Sequence, residues 1–310
     1  MMTDKKQRCL SKVKGPVFPI PTPFTETGAV DYASLASYVD WLVRQGARTI
    51  MVTVGTSRFS LLSRDEMRKV NETVTEAVGG RAYTIVTGPH TGSLDDAVEF
   101  ARHAASIKAD AILGVYPERF YSEHAVYDFF KDFSEAADIG VMIHLAPMKA
   151  GTVTTPNPCQ YPLELVRRIA ALPNMVGMKE ESNAPQLIYA YNRALKDRFC
   201  VIGGAGCMRT YLTASTWEQP AYLVGIGNFT PRTELDFYTA VQAGDMDKAR
   251  RIVDEKEKPF FDEAIRMGWH LALKEAMAAC GLMPAWERKP LARLGETDQT
   301  KIQKIIGEWL

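Results

Sequence analysis

Met175-Val176-Gly177-Met178-Lys179-Glu180-Glu181 is an apolar run that stops abruptly at a lysine and two acids. Four apolar or small residues suit a buried strand, and the sudden charge marks where that strand emerges. A lysine at such an exit has its stem in a dry place and its amine at a rim. Desolvation there favours the neutral amine, the form that attacks carbonyls to make a Schiff base. An ordinary strand-end lysine paired with Glu180 or Glu181 is the competing reading, and the rest of the chain has to decide between them.

Working outward, the same pattern of a short apolar run followed by a helical stretch recurs eight times. The strand candidates are Val17–Ile20, Thr49–Val54, Tyr83–Thr87, Ala111–Val115, Val141–Leu145, Met175–Met178, Cys200–Gly203 and Tyr222–Gly225. Nearly all their residues are apolar, as parallel strands buried on both faces require. The stretches between them are amphipathic. Tyr32 to Arg44 gathers Leu35, Tyr38, Val39 and Leu42 on one face, with Gly46 as its stop. Ser63 and Glu66 form a capping box, and Thr230-Pro231 reads as a cap followed by a first-turn proline. Eight alternations predict an α/β fold, a (β/α)8 TIM barrel. A doubly wound open sheet is disfavoured because no G-x-G-x-x-G follows the first strand. The spacing predicts an N-terminal tail over 1–14, a barrel over 15–245 and a three-helix extension over 246–310, its helices at Met246–Ala264, Gly268–Ala279 and Asp298–Leu310.

Composition narrows the function. The 310 residues carry 37 basic and 37 acidic side chains, and this balance argues against a nucleic-acid or anionic-membrane partner. No apolar run reaches transmembrane length and the first residues lack a secretory core segment, so a cytoplasmic protein is expected. Five cysteines without a C-x-x-C spacing fit reduced thiols better than a disulfide frame or a zinc cluster.

Barrel chemistry comes from strand C-terminal ends and the loops that follow. Here those ends hold Gly55-Thr56-Ser57-Arg58 after strand 2, His90 after strand 3, His144 on strand 5, Lys179 on strand 6, Gly203-Gly204-Ala205-Gly206 after strand 7 and Gly225 to Asn228 after strand 8. The set describes a keto-acid site. Lys179 is the amine, Thr56 and Ser57 are hydroxyls to hold a carboxylate with Gly55 in the same loop, and His144 is placed to shuttle protons. Gly204 and Asn228 shape the rest of the pocket. The glycine-rich loop after strand 7 can be read either as a phosphate site or as a tight loop.

In their order along the chain these motifs resemble the dihydrodipicolinate synthase / N-acetylneuraminate lyase family of Schiff-base lyases. The matching pieces are Pro-Ile-Pro-Thr-Pro-Phe at 19–24, Gly55-Thr56-Ser57 at the family's G-[TS]-T-G-E loop, Val176 to Glu180 at its V-G-[IF]-K-[ED] motif, Asn228-Phe229-Thr230-Pro231, and Leu273-Lys274-Glu275. The resemblance implies a barrel with a helical extension, a homo-oligomer (usually a tetramer), and Lys179 as the Schiff-base residue, with no cofactor. It implies a pyruvate-type 2-keto acid as substrate, in an aldolase or dehydratase reaction. There are departures. His144 stands where the family has a tyrosine, Arg58 and Phe59 replace Gly-Glu, and Lys149 takes the place of a carboxylate-binding arginine. Arg58 is expected to meet either a distal anionic group or solvent. Either Tyr116 or Tyr121 could stand in for the synthases' paired tyrosines. The rival functions are a barrel that binds a keto acid without turning it over, and a metal-dependent aldolase with His90, His144 and Glu180 as ligands.

Overall fold

Eight parallel strands close into a barrel in chain order, β1 to β8, in the computed structural model. The structure describes residues 2–118, 120–145, 161–182, 184–204 and 206–309. The strands are β1 (Gly15–Pro19), β2 (Thr49–Met51), β3 (Tyr83–Thr87), β4 (Ala111–Gly114), β5 (Gly140–Leu145), β6 (Met175–Glu180), β7 (Cys200–Gly203) and β8 (Ala221–Leu223). Almost every strand residue is buried, which is why the sequence shows continuous apolar runs instead of alternation. The chain divides into two units. The described residues of Met1–Val17, Tyr83–Gly206 and Thr210–Leu223 make the first, and those of Phe18–Ala82, Cys207–Arg209 and Val224–Leu310 the second.

The helices of the first unit are α1 (Asp4–Lys12), α4 (Leu94–Ser106), α5 (Glu123–Glu135), α6 (Leu163–Ala171), α7 (Pro185–Leu195) and most of α8 (Met208–Ser215). Helix α1 corrects the expectation of a plain tail. Thr3 caps it, Cys9 and Val13 are fully buried, and Lys6 reaches the Ala170 carbonyl at 2.7 Å. Arg8 pairs with Asp110, just before β4, and Thr3 Oγ1 donates to the Pro173 carbonyl, just before β6. A basic, polar stretch could thus fold because its few apolar groups and its hydrogen bonds find partners at the strand N-termini, information absent from its own nine residues.

The second unit holds α2 (Tyr32–Arg44), α3 (Arg64–Val78), α9 (Pro231–Gln242), α10 (Met246–Ile252), α11 (Lys258–Met267), α12 (Trp269–Ala279) and α13 (Glu296–Gly307). Helix α2 has the expected bounds, and the Ser63–Glu66 capping box forms as read, with Glu66 N to Ser63 Oγ at 3.2 Å and Ser63 N to Glu66 Oε2 at 2.9 Å. Arg288 grips the same Glu66 with two 2.7 Å contacts and is the main cause holding its carboxyl at about 2. Thr230 does not cap α9; its hydroxyl donates to the Ile226 carbonyl instead. The single helix expected at 246–264 is α10 and α11 joined by a π turn over Val253–Glu257. Pro259 supplies the reason. It has no N–H and its ring crowds the preceding turn, so the chain accommodates it by widening there. Glu257, fully buried in that turn, accepts hydrogen bonds from the backbone N–H groups of Met208 and Arg209 at the start of α8. Strand β2 is shorter than expected because Thr53 turns into the left-handed region (φ 58), uncommon for a β-branched residue. Its hydroxyl is within 2.9 Å of Asn71 Oδ1.

Candidate functional site

Strands β5 and β6 run parallel with His144 level with Lys179. A bulge makes this so. Val141 pairs with Met175 but Met142 pairs with Gly177, so one extra residue, Val176, is taken up on β6. Without it His144 would lie opposite Met178, and successive side chains point to opposite faces. Gly177 makes the tight approach possible: a Cβ there would sit 2.5 Å from the Cys200 carbonyl oxygen and 2.5 Å from Met142 Cε. Gly177→Ala is therefore expected to destabilise the protein by about 1–3 kcal/mol, as overpacking does. The check is a urea melt, which should show a lower midpoint at unchanged slope.

Lys179 is only 3 % exposed. Its Nζ lies 2.9 Å from His144 Nε2 and 2.8 Å from Glu181 Oε1, while His144 Nε2 lies 2.8 Å from Glu181 Oε2. The three side chains close a triangle of short contacts. If His144 carries its proton on Nε2, each oxygen of Glu181 has its own donor, Lys179 Nζ at Oε1 and His144 Nε2 at Oε2. Burial pulls Lys179 below its ordinary value near 10.5, with the charge and hydrogen bond of Glu181 opposing. Burial, helped by the Lys179 charge, takes His144 down to about 4, against the pull of Glu181. For Glu181, burial acts to raise the carboxyl, but the Lys179 charge and the His144 hydrogen bond outweigh it and hold the group well below the usual carboxylate range.

The competing sequence reading was right about the partner and wrong about the setting: Lys179 does pair with Glu181, but its amine is buried instead of lying at the surface. Sequence reading missed Glu181 as a site residue. Its signal was the second acid of Lys-Glu-Glu, and alternation assigns Glu180, the first, to the other face of the strand. Glu180 indeed turns away and accepts from the Ser182 backbone and hydroxyl. His90 meets His144 edge to face, with ring centroids 5.3 Å apart. Among the described residues no group of three His, Cys, Asp or Glu side chains converges as a metal ion would need, and the Glu180 expected to complete such a set is engaged elsewhere.

Gly204 serves this same cluster. A Cβ on it would fall 2.1 Å from Glu181 Cγ, so only glycine leaves room for Glu181 to fold inward. Its N–H donates to the Glu180 carbonyl at 2.7 Å, which favours a tight turn at Gly203-Gly204 over a phosphate site. Lys149 lies outside the described residues. Tyr121 is 71 % exposed, and Tyr116 packs edge to face on Phe129.

In the second unit, Gly55–Ser57 form a 3-10 turn between the left-handed residues Thr53 and Arg58 (φ 59). Ser57 is fully buried. Its hydroxyl donates to the Ile20 carbonyl and accepts from Val54 N, and its own N–H donates to the Val54 carbonyl. The expected carboxylate ligand is thus a brace of the loop, because the turn needs those bonds itself. Thr56 is half-buried, with its hydroxyl 3.4 Å from Nε2 of His270 on α12, a neighbour that sequence reading did not single out. Gly55 beside it is exposed. Arg58 does neither of the things expected of it. Its Nε and Nη2 both bind Glu287, whose side chain is 1 % exposed, and Lys274 Nζ stands 3.8 Å from the same carboxylate. Asn228 is fully buried, with its Oδ1 and its backbone carbonyl both accepting from the Tyr38 hydroxyl.

The sequence pattern that defines the Dihydrodipicolinate synthetase family matches residues 12–308 of this chain. The chain belongs to that family. Curated relatives include the 4-hydroxy-tetrahydrodipicolinate synthases of Laribacter hongkongensis, 27 % identical over 94 % of this chain and 97 % of the relative, and of Neisseria meningitidis serogroup B, 28 % identical over 95 % and 98 %. Among solved structures, dihydrodipicolinate synthase from Oceanobacillus iheyensis superposes with a TM-score of 0.85 at 22 % identity, covering 99 % of both chains. N-acetylneuraminate lyase from Mycoplasma synoviae gives 0.81 at 22 %, over 96 % of this chain and 98 % of that one. These structural likenesses speak for the barrel. This family member is a lyase with the Schiff-base chemistry of its class. Among its described residues no helix is long and apolar enough to cross a membrane.

Proposed function

We propose that this enzyme cleaves, condenses or dehydrates a pyruvate-type 2-keto acid through a Schiff base on Lys179. The observation that carries the reading is the buried Lys179 amine held between His144 and Glu181. The neutral amine attacks the keto carbon, and loss of water leaves an iminium that accepts the electron pair of the neighbouring carbon. Bond cleavage, or loss of a β-hydroxyl, gives an enamine that is protonated and hydrolysed. His144, at the position of the family's tyrosine, moves a proton at the substrate carbon. Thr56, beside the exposed Gly55, holds the substrate carboxylate, as the family resemblance implies. Ser57 and Arg58 support that loop from beneath, and Asn228 fixes the segment after β8 through Tyr38. A cytoplasmic homo-oligomer, as the family resemblance suggests, is part of the same reading.

Borohydride reduction in the presence of pyruvate tests it. A mass increase on the peptide bearing Lys179 is expected, and no adduct with any of a panel of 2-keto acids would overturn it. An adduct without turnover of any deoxy-keto-sugar acid or pyruvate–aldehyde pair would instead mark a barrel that binds a keto acid.

A further inference from the structure

We propose that Glu181 is the acid–base catalytic residue of Schiff-base formation, carrying the proton between the Lys179 amine and the departing hydroxyl. The inference rests on the Lys179 reading above and adds a proton carrier to it.

Three observations lead there. The first is reach. Glu181 Oε1 is 2.8 Å from the amine that must lose a proton, and its other oxygen is 2.8 Å from His144. The second is access. The Glu181 side chain is 22 % exposed, against 4 % for Lys179 and 3 % for His144, so it is the most accessible member of the triangle. The third is construction. Gly204 has no side chain where Glu181 folds in, and a methyl group there would collide with Glu181 Cγ.

The electrostatics give the carboxylate a sense of timing. Burial favours its protonated form, and the Lys179 charge is the leading influence against it. Glu181 takes a proton from the ammonium, freeing the nitrogen lone pair. The lone pair forms the C–N bond while the C=O π pair moves to oxygen, and a proton shifts from nitrogen to that oxygen to give a neutral carbinolamine. At this point no cation faces Glu181 from nitrogen, so burial lets it keep its proton. It then donates the proton to the hydroxyl, the C–O bond breaks, water departs with the bonding pair, and the nitrogen lone pair closes the C=N bond. The iminium is positive again and Glu181 is again an anion. The sum is ammonium plus ketone giving iminium plus water. Among the described residues, the titratable groups that interact with Glu181 are Lys179 and the neighbouring Glu180 from β6, His144 from β5 and His90 from the loop after β3, while Gly204 after β7 brings none.

The test is the rate of borohydride-trapped adduct formation with pyruvate, followed against pH in the whole enzyme and in folded Glu181→Gln and Glu181→Ala variants. The expected result is a fall in rate of about 10²-fold or more in both, the range of a lost general acid–base, with the same final adduct yield on Lys179. Added formate should restore much of the rate to Glu181→Ala by supplying a small carboxylate, and should do nothing for the unmodified enzyme. Removing the anion also lowers the Lys179 pKa, so the rising limb of the pH profile should move to lower pH in Glu181→Gln. A moved limb with an unchanged plateau and no formate rescue would reduce Glu181 to a charge partner and overturn this proposal alone. No adduct in the unmodified enzyme would overturn the Lys179 reading itself.

Discussion

Lys179→Met should abolish borohydride trapping by pyruvate and lower turnover by roughly 10⁴-fold or more, the scale expected when a nucleophile is removed. The same substitution should change a second quantity that activity assays do not see. In the unmodified protein His144 sits at about 4 because burial, and after it the Lys179 charge, oppose the imidazolium. Methionine keeps the site dry and removes the charge, while Glu181 stays 2.8 Å away and favours protonation. The His144 titration, followed by NMR of the ring protons, should therefore move up from about 4 towards its ordinary 6.5. Stability should respond in the matching direction. A histidine with a lowered folded pKa lets the unfolded chain bind more protons, so its contribution improves as pH rises from about 4 to 6.5. That slope should flatten in Lys179→Met. An unchanged His144 titration would show that the two groups are not coupled as the 2.9 Å contact implies.

Glu287→Ala is the substitution expected to damage the fold most. The Glu287 side chain is almost fully buried and faces two cations, Arg58 through a two-point contact and Lys274 at 3.8 Å. Burial, ahead of the opposing Glu287 charge, already brings Lys274 down to about 8. Without the carboxylate Lys274 can shed its proton, but a guanidinium cannot. Breaking a buried pair by removing one partner costs about 3–5 kcal/mol, and that is the loss expected here. Denaturant unfolding of Glu287→Ala and of the Arg58→Met, Glu287→Met double variant checks it. The double variant leaves no orphaned guanidinium and should recover most of the loss. Equal instability in both would point to lost packing and away from the unpaired charge. Arg58 is held in the left-handed region at the end of the Thr56 loop, so the single variant should also raise KM for the keto acid.

The barrel was legible because its signals are local. Each strand is buried on both faces and so writes itself as an apolar run, and each helix repeats its buried stripe within three or four turns. The errors fall where a distant partner decides the outcome. Helix α1 is ordered by groups more than a hundred residues away, such as Asp110 and Ala170. The π turn at Val253–Glu257 answers to Pro259, and its buried Glu257 answers to the start of α8.

The site divides along the same line. The sequence alone determined that a lysine leaves a buried strand at position 179, and that His144 leaves the neighbouring one, because burial and termination of a strand are properties of consecutive residues. It could not determine that Glu181 folds back between them, that Ser57 braces its loop from within, or that Arg58 is taken by Glu287. Those outcomes depend on a one-residue bulge that sets His144 level with Lys179, on the missing side chain of Gly204, and on carboxylates brought from other parts of the chain. Contacts of 2.8 Å between charged groups are fixed by register and packing, and only the tertiary structure sets those.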